Sequence, residues 1–132
     1  METQTSTYTR VDITPSAEAM LEKLRAVNGP LMFHQSGGCC DGSSPMCYPL
    51  GEFRLGQSDV YLGDVDDTPF YMSESQFAYW QHTHLTVDVV PGRGGGFSLE
   101  APEGVRFLIR SRLLTDHEME TLPPVTHGEK PS

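Results

Sequence analysis

Basic residues are scarce in this chain: nine Lys and Arg stand against eighteen Asp and Glu, a formal charge of -9. That balance repels a phosphate backbone or an anionic membrane surface, so neither nucleic acid nor a membrane is expected as a partner. Long apolar runs are missing as well. No stretch approaches the roughly 20 residues of a bilayer-crossing helix, and the polar opening METQTSTYTR has no apolar region of a secretory signal. The cytosol is the expected address. Cysteine is the third shortage. The three that exist, Cys39, Cys40 and Cys47, crowd into nine positions. An odd count with no export signal argues against a disulfide framework and for reduced thiols that serve a metal or redox chemistry.

A chain of 132 residues, 37% hydrophobic and 20% charged, suits one globular domain with one core. Residues 1–13 read as a loose lead-in, 14–114 as the domain and 115–132, with two successive prolines and no apolar pattern, as a flexible tail. The clearest helix signal is TPSAEAMLEKLRAVNG: Thr14 can cap, Pro15 suits the first turn, and Ala17, Met20, Leu21, Leu24 and Val27 form one stripe before Asn28-Gly29 ends it. PLMFHQS follows as a short strand with Leu31 and Phe33 on one side and Met32 and His34 on the other.

From Gly37 to Gly51 the Gly, Ser, Pro and Asp content predicts a loop, which would carry all three cysteines. DVYLGDV and PFYMS read as strands joined by an acidic turn at Asp66-Asp67, and Ser73 can cap a short helix through ESQFAYWQ. HLTVDVV, FSLEA and VRFLIRSRLL are three further strand candidates, with PGRGGG as a hairpin connection and PEG as a tight turn. In the last strand apolar Val105, Phe107, Ile109 and Leu113 alternate with Arg106, Arg110 and Arg112, giving one core face and one wet face. The order of elements predicts an α+β domain with an antiparallel-rich sheet.

The SGGCC turn after a helix and a strand, followed by a strand pair, a short helix and GGGFSLEAPEG, resembles the A-type iron–sulfur carriers, the HesB-like family. That family has an S-G-C-S/A-G turn and a late G-x-G-F-x-F-x-N-P segment. The resemblance, over roughly residues 15–113, implies a HesB-like fold with a short sheet stack or barrel-like arrangement, one N-terminal helix and one short helix. The carriers also hold a C-terminal C-x-C pair, whereas no cysteine follows Cys47 here; only Cys39 or Cys40 matches a carrier ligand. MFHQSGGCCDGSSPMCYP together with HTHLTVDVV is also similar to an uncharacterised bacterial family encoded beside aldehyde dehydrogenases. This second resemblance implies an accessory role in aldehyde oxidation, with an aldehyde dehydrogenase as partner, rather than an enzyme acting alone.

Thiolates bind zinc, copper(I) and the iron of iron–sulfur clusters, so Cys39, Cys40 and Cys47 form one candidate ligand set for Zn, Fe or a cluster. A four-coordinate ion needs one more donor, which His34 or His84 could supply, and a homodimer could provide ligands across a two-fold axis. His82 and His84, two apart, would share a face in a strand. Taken singly, the two also read as rim histidines, and His34 as a satisfied strand histidine. The same loop could instead run thiol–disulfide or thiol-addition chemistry, although no base neighbours the cysteines in sequence and Asp41 would raise a thiol pKa. A third expectation is a non-catalytic interaction module with Phe77 and Trp80 on one helix face.

Overall fold

The computed structural model describes residues 10–35, 43–51, 55–92, 98–122 and 125–127. Strand β1 (Val11–Ile13) leads into helix α1 (Pro15–Asn28), whose start follows from local chemistry: the Thr14 hydroxyl accepts from the Ala17 N–H, and Pro15 opens the first turn. Ala17, Leu21 and Leu24 face the core, whereas Val27, expected on the same stripe, is 80% exposed beside the Gly29 cap. The Thr14 hydroxyl also donates to Asp88 Oδ1 at 2.9 Å, and the Thr14 N–H donates to the Val87 carbonyl. The helix is thereby pinned to the sheet it packs on. Arg110 donates to the second Asp88 oxygen and, as the main cause, holds that carboxyl below its ordinary pKa.

Strands β2 (Leu31–Gln35) and β3 (Met46–Pro49) come next, then β4 (Asp59–Val65) and β5 (Thr68–Ser73). Asp66 and Asp67 join the latter two with φ of 47° and 61°, the left-handed pair of a two-residue hairpin turn. The Ser73 hydroxyl caps helix α2 (Glu74–Trp80), which is followed by β6 (Thr83–Pro91). After a 3-10 turn at Ala101–Glu103 come β7 (Val105–Leu113), helix α3 (Asp116–Thr121) and the two-residue β8 (Thr126–His127).

Among the described residues, eight strands form two mixed sheets, ordered β1-β6-β7 and β3-β2-β5-β4-β8. Phe33 of the larger sheet meets Phe107 of the smaller edge-on at 5.1 Å between ring centres, and Phe70 flanks Phe33 at 5.8 Å. One hydrophobic core therefore lies between the sheets. The sheets also touch at an edge. A bulge between Tyr61 and Gly63 brings β1 close to β4; Gly63 has φ of +144°, and a Cβ there would meet Val11 Cγ2 at 3.3 Å.

The α+β class holds, but the HesB-like plan is overturned. In place of one N-terminal and one short helix the described residues hold three helices, and their strands divide into sheets of three and five with parallel pairs β1–β6 and β2–β5. Further differences from the sequence reading have local causes. β1 lies within the expected lead-in and takes its parallel partner from β6, some 70 residues away in sequence. Helix α3 lies within the expected tail and starts on a capping box: Thr115 accepts from the Glu118 N–H while Glu118 accepts from the Thr115 N–H. FSLEA is not a strand over its described part: the Ser98 and Glu100 side chains accept from the N–H groups of Cys47 and Phe107, and the chain turns into the 3-10 segment. The PGRGGG connection lies largely outside the described residues.

Arg112 reaches Glu118 with both terminal nitrogens at 2.8 Å. This guanidinium, then the Thr115 N–H, lowers the Glu118 carboxyl from 4.5 to about 2. A carboxyl depressed in the folded state stabilises it above its unfolded value, and that stability is lost as pH falls toward the folded value. The melting-temperature advantage of the native protein over Glu118→Gln is therefore expected to shrink as pH falls from about 5 to about 2. A pH-independent difference in parallel melts would show that the pair does not act through charge.

Candidate functional site

Register decides which expected ligands can meet. On β2 and β3, Phe33 stands opposite Cys47 and His34 opposite Met46, and facing residues point to the same side of a sheet. Cys47 therefore shares the core side with Phe33, and His34 lies on the other. All five β2 residues are buried, so both sides of this strand are covered.

The expected cysteine loop is corrected here, since its last thiol sits on an edge strand rather than in a loop. Cys47 is fully buried in the hydrophobic cluster, and burial, followed by the charge of Glu100, raises its pKa well above the ordinary thiol range. At neutral pH it is a protonated core thiol, poor as nucleophile or ligand. His84 lies on β6 of the other sheet, opposite Arg112. Burial and then repulsion from Arg112 lower its pKa, against smaller opposing effects of Asp12 and Glu118. His82 falls in the turn before β6, so the two histidines do not share a strand. Cys39 and Cys40 lie outside the described residues. Of the five expected ligands, the structure thus sets Cys47 and His84 apart from His34.

His34 has a partner that the sequence reading missed. Its Nε2 lies 2.7 Å from Asp59 Oδ1, with side-chain exposures of 3% and 15%. Asp59 is held by its own turn: its N–H donates to the Gly56 carbonyl and its Oδ2 accepts from the Gly56 N–H, both at 3.0 Å. Strand pairing brings Tyr71 beside His34 and Tyr61 beside Tyr71, with the two rings 5.7 Å apart. Tyr61 donates to Asp64 Oδ1 at 2.7 Å; burial first, and that hydrogen bond next, raise its pKa. The result is a patch of imidazole, carboxylate and two phenols on the side of the sheet away from the core. Its position is informative. β2 ends at Gln35, so in the sequence the segment with Cys39 and Cys40 begins two positions after His34.

A model of the family described as "Domain of unknown function (DUF779)" matches residues 20–113, from within α1 to the end of β7. The chain belongs to this family. The match spans every candidate ligand and the Asp59 carboxylate of the DUF779 domain, while β1, α3 and β8 lie outside it. No curated protein matches the chain. No helix among the described residues is long and apolar enough to cross a membrane.

One acidic group, Glu18, Glu22 and Asp66, brings carboxylate oxygens within 4.8 Å of one another among the described residues. Both glutamates are exposed, and Asp66 already pairs with Arg25 at 2.8 Å. It is a solvated surface cluster.

Proposed function

We propose that this DUF779 domain is a metal-thiolate accessory protein that holds zinc, iron or an iron–sulfur-type centre with Cys39, Cys40 and His34. The observation that carries the reading is the buried His34–Asp59 pair, His34 standing five positions before Cys39 in the sequence. Histidines that ligate metals characteristically give their other ring nitrogen to a carboxylate, which orients the ring and raises its basicity. Two thiolates and such an imidazole suit zinc or iron, and a fourth position remains for a further ligand. Cys39 is five positions after His34, a reach of at most about 18 Å in a fully extended chain. Cys47 and His84 are left out of the set on the register described above.

The resemblance to a family encoded beside aldehyde dehydrogenases supports such an enzyme as the physiological partner. Purification of the native protein in mild salt tests that link, and consistent absence of a dehydrogenase would count against a stable complex. The same pair favours one other reading. A carboxylate-held imidazole can serve as the base that activates a nucleophilic thiol.

Elemental analysis with a free-thiol count, on protein purified without a tag and without air, separates the two. The metal reading expects stoichiometric metal and protected thiols. It expects Cys39→Ser or Cys40→Ser to abolish retention with the fold intact, and Cys47→Ser to keep the metal while lowering stability. A metal-free protein whose loop thiols alkylate at neutral pH would replace it with the thiol reading.

A further inference from the structure

We infer that His84 makes the C-terminal strap of this chain, α3 and β8, releasable by acid: an imidazolium at His84 sets a cation against the Arg112–Glu118 pair that holds α3 to the smaller sheet, and α3 lets go with the strand beyond it. The inference stands apart from the metal-thiolate reading, since it involves none of the proposed ligands. Leu114 begins the strap by donating its N–H to the His82 carbonyl at 2.9 Å. α3 follows, and β8 then adds to the larger sheet beside β4, with Thr126 opposite Tyr61 and His127 opposite Val60. The strap therefore runs from one sheet to the other. Its far end covers the β4 edge in the row that continues through Tyr71 to His34.

Helix α3 is the weak link. Six residues are too few for a helix to stand alone in water, so it depends on docking. Its one buried residue is Glu118, a charged side chain rather than an apolar one. Both carboxylate oxygens of Glu118 meet Arg112 at 2.8 Å, and one also accepts the Thr115 N–H. A helix held by an ion pair answers to a charge placed beside that pair. Register places His84 there: it stands directly opposite Arg112 across the β6–β7 ladder, half-buried. The charged groups acting on it are Arg112 from β7, Asp12 from β1 and Glu118 from α3. Arg110, the next cation on that side of β7, is taken by Asp88.

The relative sizes of these influences give the direction. Burial and then Arg112 hold His84 below its ordinary value of 6.5, and the opposing attractions of Asp12 and Glu118 are smaller. Release of α3 hydrates the ring and lets Arg112 swing into water, at the cost of the Glu118 attraction, the smallest of these influences. Asp12 stays, because β1 stays. The imidazole therefore binds its proton more tightly once the strap is released, and docking, at full strength above about pH 6.5, weakens as pH falls below it. Glu118 itself titrates near 2, far below this range.

Hydrogen exchange followed by NMR tests this on the full chain. The probes are the Met119 and Leu122 amides, which bond to the Thr115 and Glu118 carbonyls, and the Leu114 amide at the start of the strap. Their protection factors are expected to fall between about pH 7.5 and about pH 5, by up to about tenfold per pH unit for one linked proton, while the β6–β7 ladder keeps its protection. His84→Gln, which cannot take up the proton, should abolish that fall and keep the protection seen at neutral pH. Strap amides that hold or gain protection in acid overturn the inference. So does a loss shared equally by the ladder, or a His84→Gln protein that still opens as the original does. If His84→Gln does not fold, the imidazole titration of His84 in the unsubstituted protein decides: release must share its midpoint, and any other midpoint, such as that of His82 or His117, overturns the assignment.

Discussion

Replacing Phe107 by alanine is expected to destabilise the protein by about 3–5 kcal/mol, a large share of the roughly 5–15 kcal/mol typical of a domain. The size follows from position. Phe107 is fully buried on β7, and its ring meets Phe33 edge-on at 88°, so it spans the gap between the two sheets. Truncation removes the transfer free energy of the ring and leaves a cavity that neither sheet can close without breaking its own ladder. Phe107→Leu retains most of the volume and should cost clearly less. Thermal melts provide the check, with a drop on the order of 10–20 °C expected for the alanine variant. A drop of only a few degrees would mean that the sheets do not depend on this contact.

The second large effect is expected at Glu100, which is fully buried and whose carboxylate ties three pieces of chain together. One oxygen accepts from the Ser98 hydroxyl and the other from the Phe107 N–H at 3.2 Å. Ser98 Oγ in turn accepts from the Cys47 N–H at 2.8 Å, and the Cys47 carbonyl accepts from Leu99. Edge strand β3 of one sheet is thus linked to β7 of the other through the side chains of Ser98 and Glu100. Glu100→Ala orphans two buried donors, and at roughly 1–3 kcal/mol each the total is about 2–6 kcal/mol. Glu100→Gln keeps one acceptor and should cost about half as much. Urea unfolding would register the loss as a lower midpoint at an unchanged slope. An alanine variant within about 1 kcal/mol of the original would show that water satisfies those donors instead.

Elements whose causes are local could be read from the sequence. Thr14 and Ser73 as caps and the Asp66-Asp67 turn each need only a few neighbouring residues, and each is present, whereas burial does not follow the expected alternation: all of β2 is buried, and on β7 Leu108 is buried while Leu113 is exposed. The capping box of α3 was equally local, in Thr115 and Glu118, but two later prolines drew the whole stretch into an expected tail. Pairing between distant segments was not legible. β1 has three residues and no period of its own, and the division into two sheets depends on partners far apart in sequence. The same holds for the site. His34 stood out as a candidate because of its neighbours in the chain, whereas Asp59, 25 residues on, looked like one more carboxylate in an acidic protein. Cys47 failed as an expected loop thiol because its surroundings are rich in turn-formers, while its burial comes from Phe33 across the ladder.

That ladder also limits how this family can vary. Phe33 and His34 are consecutive, one ring filling the space between the sheets and the next facing Asp59. Deletion of a single residue within β2, or a slip of one position against β5, would exchange them, leaving an imidazole in the oily interior and a phenyl group against a carboxylate. Substitution along this strand can be tolerated one residue at a time, but a change of length removes stability and chemistry in one step. Insertions and deletions among descendants of this gene should therefore collect in the connections and spare residues 31–35.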